Sequence, residues 1–470
     1  MNSIRNQVQK IIFSSLIFFI CMFCIVGYFF FSYVFLLVPI IAFHLLALLL
    51  FESLRNKAQK VLFILLGITI PTSIAITNLV IIMLVLCWIS EWIVFIWIYV
   101  FPRYVWYDHL QSENFKLNVF KRLKLYRTKW KWMLSIFGLI GLYALGLYWG
   151  DNHLNAEWQF QRLPLLLVFP ILATIAISQL TIKRSVMAFL GTTFISALAA
   201  ILINNKIIEP LGDYIYFIKD DWRISAFITY NYHNVLLALS VILSLYILIE
   251  KKTKYNYLLM IFIAVYALSI FTERGRAGQV IFNLSALFYI IYYNRKQFLR
   301  LLAFIILLFS FQFIVYKTTK VYKNRFDAVS NIIINKGEAG KGKLEDIRYV
   351  FVRESFNRIL QKPILGYGTG SFGKIFIDEV DSGHDFYPHT TPHNQYLYVW
   401  FELGILGLLL LLSIFYYQIK ELIVKKDGIH RVLLPLSFIF LMLVDSYFFI
   451  YILTIAYIFL YTIYSRYESE

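Results

Sequence analysis

Residues 11 to 50 form forty nearly uninterrupted apolar positions, flanked by Arg5 and Lys10 on one side and by Arg55, Lys57 and Lys60 on the other. A helix that crosses a bilayer needs about twenty apolar residues, so the run is two consecutive spans. Windows of similar length recur down the chain without the short alternation of barrel strands, which makes the fold all-α. The expectation is a polytopic helical membrane protein with about 12–14 transmembrane helices and one large polar loop containing short helices. Composition agrees, with 60% of the 470 residues apolar and 15% charged, outside the range of soluble domains.

A net charge of +17 raises nucleic acid as a partner, but the Lys and Arg residues fall in short clusters between apolar runs. That is the pattern of membrane topology, so no nucleic-acid partner is expected. Residues 61 to 101 form a second pair of spans and lead into Arg103 to Lys131, where eight Lys or Arg residues mark a cytoplasmic loop. Further spans fall at 132–150, 163–181 and 186–203, with Lys183 and Arg184 read as an inside turn. A loop at 204–234 holds Arg223 and ends in Tyr230-Asn231-Tyr232-His233-Asn234; spans at 235–250, 255–272, 279–294 and 301–316 follow, separated by the inside clusters Lys251 to Lys254 and Arg295 to Arg300. The large loop is 317–394, with an amphipathic segment at 345–361. A span then opens at Gln395, and 432–464 reads as a last apolar hairpin with Asp445 near its middle.

The chain thus divides into N-terminal spans (1–203), central spans with arginine-bearing loops (204–316), the large loop (317–394) and C-terminal spans (395–470). The first apolar run lacks a small-residue cleavage site and is expected to stay as an anchor. Cys21, Cys24 and Cys87 lie in apolar runs and read as packing residues, since nothing basic is near to lower a thiol pKa. Glu91 reads as a carboxylate near a turn or facing the bundle interior.

The parity of the spans places Arg223, Arg274, Arg276, the large loop and His393 on one face, away from the cytoplasm. Arginines at a membrane edge are costly to desolvate, and their planar fork matches phosphate oxygens. Nucleotides are scarce on that side, so a diphosphate there belongs to a lipid-linked donor. Glycosyl transfer from such a donor needs positive charge where the diphosphate departs and a base for the attacking hydroxyl. His393 and Asn394, at the mouth of the helix that opens at Gln395, suit an anionic ligand, although Asn394 also reads as a simple helix cap. Arg348 and Arg353, on the loop segment, either touch sugar or phosphate or form a solvated face. Gly366, Gly368 and Gly370 can either cradle a phosphate or form a tight turn. Asp378, Glu379, Asp381, His384, Asp385 and His389 can hold a divalent cation or simply be a solvated loop; the arginines already answer the charge, so no metal and no cofactor is expected.

Pro392-His393-Asn394-Gln395-Tyr396-Leu397 with Glu402-Leu403-Gly404 and Gly407, preceded by Lys362-Pro363-Ile364-Leu365-Gly366-Tyr367-Gly368-Thr369-Gly370-Ser371-Phe372, resembles the signature of the O-antigen ligase and polymerase superfamily. Gly275-Arg276-Ala277-Gly278 is similar to the Gly-Arg-Thr-Gly of many of the ligases, with Ala277 in place of Thr, and Arg223 resembles the family's earlier arginine. Glu273-Arg274-Gly275 also aligns with a serine-arginine-glycine variant, which makes Arg274 the rival of Arg276. The resemblance covers about 220 to 410.

It implies transfer of O-antigen from undecaprenyl diphosphate to the lipid A-core oligosaccharide at the periplasmic face of the bacterial inner membrane. Arg223 and Arg276 would bind the diphosphate and His393 would activate the acceptor. Substrate contacts would come from Arg274, Arg348, Arg353, Asn394, Gly368 and Gly370. An O-antigen polymerase or a protein O-oligosaccharyltransferase of the same superfamily is the alternative. A non-enzymatic lipid-linked glycan transporter fits less well, because transport favours broken helices and ionisable groups at mid-membrane.

Overall fold

The computed structural model describes residues 52–100, 113–150, 156, 162–175, 177–208, 226–250, 256–273, 275–319, 322–324, 326–327, 347–380 and 391–467. The helices are α1 (Glu52–Thr69), α2 (Ile74–Val100), α3 (Glu113–Leu145), α4 (Pro164–Thr174), α5 (Gln179–Asn204), α6 (Tyr230–Glu250) and α7 (Asn256–Thr272). They continue with α8 (Arg276–Asn294), α9 (Phe298–Thr318), α10 (Ile347–Ile359), α11 (Ser371–Val380), α12 (Gln395–Ile423), α13 (Leu433–Val444) and α14 (Tyr451–Arg466). The protein is an all-α, multi-pass membrane protein. Among the described residues six helices are long and apolar enough to cross a bilayer, and three shorter apolar helices accompany them. The first apolar run, with Cys21 and Cys24, lies outside the described residues.

The chain forms two compact units. In the smaller, Glu91 on α2 meets Arg55 on α1 at 3.7 Å, so the carboxylate faces the interior and is charge-paired. Cys87 beside it is a free, buried thiol. The larger unit comprises Ile64–Asn78, Lys124–Thr174 and Gln179–Glu470 and holds the site. Its centre is α14, buried on nearly every side from Ile452 to Ser465, as expected of a helix that is apolar all round. On its perimeter is α9, where Leu299, Leu307 and Phe309 are among the exposed apolar side chains that a bilayer would cover.

Two boundaries differ from the hydropathy reading. Lys183 and Arg184 lie within α5, which begins at Gln179, while α4 ends at Thr174. Tyr230 to Asn234, read as the end of a loop, form the first turns of α6, with His233 and Asn234 buried. Polar residues at a helix end are invisible to an apolar window when they are paired inside the bundle. The stretch from 432 to 464 is the hairpin expected, and it turns at Asp445, whose extended backbone ends α13 before a short turn leads into α14.

Candidate active site

The geometry at the mouth of α12 follows from its cap. Asn394 has an extended backbone, and its Oδ1 accepts from the N–H groups of Tyr396 and Leu397 at 3.0 and 3.1 Å. These are donors that the first turn of a helix leaves unpaired. The amide nitrogen of the same side chain donates to the carbonyl of Leu443 at 3.2 Å, tying the start of α12 to the end of α13. His393, immediately before the cap, has φ +50°, a left-handed conformation that costs a non-glycine residue and persists only where its surroundings impose it.

That backbone places the imidazole against Asp445. His393 Nδ1 lies 3.1 Å from Asp445 Oδ1, and the same oxygen accepts from the Ser446 N–H at 2.7 Å. Phe351 of α10 packs on the ring, with centroids 5.8 Å apart. The two side chains are 28% and 24% exposed. A carboxylate at Nδ1 favours the tautomer with its proton there, which leaves Nε2 as the accepting nitrogen. Asp445 is the candidate residue that the motifs missed. The one signal for it is its type, since a carboxylate inside an apolar hairpin calls for a partner or a role.

Arg276 is exposed at the first position of α8, and the reason lies in the glycines around it. A Cβ at Gly275 would come within 2.4 Å of Asn234 Cβ, and one at Gly278 within 2.1 Å of Asn234 Oδ1. Gly275 and Gly278 therefore bring α8 onto α6, while Arg276 is left on the open side. Helices α6 and α12 run inward from this end and α13 runs toward it, so Arg276, His393 and Asp445 occupy the same end of the bundle.

The glycine segment between α10 and α11 is a lock. The N–H of Gly368 donates to the carbonyl of Glu402 at 2.8 Å and that of Gly370 to Glu402 Oε1 at 3.0 Å. Thr369 binds the carbonyls of Gly146 and Tyr143 through its N–H and hydroxyl. Of the two alternatives the structure shows the tight turn: the amides of Gly368 and Gly370 point to Glu402 and cannot also cradle a phosphate. Gly404 breaks α12 with φ +67°, and a Cβ there would lie 1.9 Å from the carbonyl oxygen of Ile364, so the turn and the break require one another.

Arg353 is the remaining candidate whose side chain is described. Arg353 is exposed on α10, with its Nε 2.9 Å from Glu354 Oε1. Arg223, Arg274, the side chain of Arg348 and the side chains of the Asp378 to His389 cluster lie outside the described residues.

The segment that builds this geometry also carries the family likeness. Residues 261–412 match the model of the O-antigen ligase family. The matched segment contains Arg276, the glycines of the lock, His393 and the start of α12, and it bears out the resemblance seen in those motifs; Arg223 lies before it. A stretch of 71 residues is 38% identical to proteins of Rickettsia conorii and Rickettsia felis that carry provisional names as polysaccharide ligases. The stretch covers 14% of this chain and 17% of either relative.

Proposed function

We propose that the protein is a glycosyltransferase of the ligase type, which moves O-antigen polysaccharide from undecaprenyl diphosphate to the lipid A-core oligosaccharide. The observation that carries this reading is the His393–Asp445 pair at a helix mouth, at the same end as an exposed arginine, with His393 and Arg276 both inside the segment that matches the ligase family. The acceptor hydroxyl attacks the anomeric carbon while the bond from that carbon to the diphosphate oxygen breaks. Nε2 of His393 takes the hydroxyl proton, Asp445 stabilises the imidazolium, and Arg223 with Arg276, or with Arg274 in its place, neutralises the departing undecaprenyl diphosphate. Arg348 and Arg353, on the loop segment, would contact the acceptor. The clusters at 103–131, 251–254, 295–300 and 420–431 support a cytoplasmic location for the opposite end, so the reaction faces the periplasm of the bacterial inner membrane.

The test is the lipopolysaccharide of a strain lacking the protein. A ligase leaves bare core while full-length polymer accumulates on its carrier lipid. Core capped by a single repeat would make the chain a polymerase. With purified protein, Arg276→Ala is expected to raise the donor KM by roughly 100-fold, and Arg276→Lys to recover little of it, because a point charge replaces a bidentate fork. Full activity in the lysine variant would reduce the arginine's part to bulk charge.

A further inference from the structure

A second group of buried ionisable residues lies beside the site and takes no part in the chemistry above. Glu273, at the end of α7, is 2% exposed and precedes Arg276 by three residues. Its Oε1 accepts from the Ser269 hydroxyl at 2.8 Å and lies 2.8 Å from His233 Nδ1 on α6. The opposite ring nitrogen, Nε2, lies 2.9 Å from the Ser196 hydroxyl on α5. Three helices are thus joined by one line of hydrogen bonds next to the α7–α8 turn. Polar groups withdrawn from water are costly even when paired, and an apolar contact would hold the helices without that cost.

The backbone of the same turn is held from the other side. Asn234, the neighbour of His233, donates to the carbonyl of Ile270 at 2.9 Å, and Gln279 donates to the carbonyls of Ile270 and Glu273. Carbonyls that the end of α7 would leave unpaired are thereby satisfied. One feature is not explained by holding alone. Glu273 Oε2 is buried without a hydrogen-bond partner among the described residues, whereas a glutamine would serve Oε1's two hydrogen bonds equally well.

We propose that Glu273 is a positioning residue for Arg276: through its bonds to Ser269 and His233, and through its carboxylate buried behind the turn, it sets where the arginine meets the substrate diphosphate. The inference rests on Arg276 being the diphosphate ligand. Its action is on binding, so it belongs in the donor KM.

The test uses the full-length protein in detergent with a lipid-diphosphate-linked glycan as donor. Glu273→Gln is expected to raise the donor KM roughly tenfold and to leave kcat within about threefold, and in an Arg276→Ala background the same change is expected to add nothing. A wild-type KM in Glu273→Gln, or an equal effect in the Arg276→Ala background, overturns the proposal. If the glutamine variant does not fold, Ser269→Ala removes one bond to Oε1 and keeps the charge. Its expected KM rise of about threefold must likewise vanish in the Arg276→Ala background, and an unchanged KM overturns the proposal. If Arg276→Ala leaves the donor KM unchanged, the reading of Arg276 as a ligand fails and nothing is left to position. If Arg276→Ala raises it while Glu273→Gln does not, only the positioning role falls.

Discussion

The two ends of the bundle use the same kinds of polar residue in opposite ways. At the end away from His393, Lys129 pairs with Glu421, whose carboxylate also accepts from Trp132 Nε1 at 3.1 Å and the Tyr461 hydroxyl at 2.7 Å. Nearby, Arg431 donates to the carbonyls of Tyr464 and Tyr467. His430 stacks against both Tyr289 and Tyr293 and reaches Glu250 at 3.0 Å. These charges are answered by the protein itself. At the other end Arg276 is exposed, and His393 and Asp445 each keep about a quarter of their side chain within reach of solvent. Charges satisfied inside the protein act as latches between helices, whereas charges left open in strained backbone are available to a ligand.

Substitution separates the two roles. His393→Ala is expected to lower the transfer rate by about 10²–10⁴-fold while leaving the melting temperature in detergent unchanged. Wild-type turnover in that variant would erase the distinction between the ends. The reverse is expected for Lys129→Met, which leaves Glu421 without its counter-charge and lowers stability by about 3–5 kcal/mol. The pair Lys129→Met with Glu421→Leu is expected to recover most of that loss, because neither partner of the pair is then left buried without the other. Thermal unfolding of single and double variants measures both, and equal loss in the two would mean that the pair is not a latch. The smallest effect is expected of Asn394→Ala, which removes the cap of α12 and costs about 1 kcal/mol. It bridges the comparison, because the released cap also frees His393: turnover should fall by more than stability does, and Asn394→Asp, which can still accept from the helix N–H groups, should restore the cap.

How much of this was legible in the chain depends on the range of the signal. Hydropathy located the helices, yet it missed the first turns of α6 because His233 and Asn234 are paired within the bundle and not with water. The glycines of the 366–370 segment were visible as glycines. Their use as a lock was not, since it depends on Glu402 more than thirty positions away. Arg276 and His393 could be named from motif and span parity, because both signals lie within a few residues of the side chain itself.

The sequence by itself determined the class of the molecule, an all-α membrane protein whose polar chemistry gathers around an arginine turn and a histidine before a long apolar helix. Length, apolar periodicity and charge clusters are local quantities, and the bilayer turns them into spans. Only the tertiary structure decided which distant residues complete those motifs: Asp445 behind His393, 52 positions on, and His233 beside Glu273, 40 positions apart. Side chains on different helices meet through the rotation and depth of each helix in the bundle. Those are set by close approaches such as Gly278 on Asn234 and Gly404 on Ile364, which no window along the chain contains.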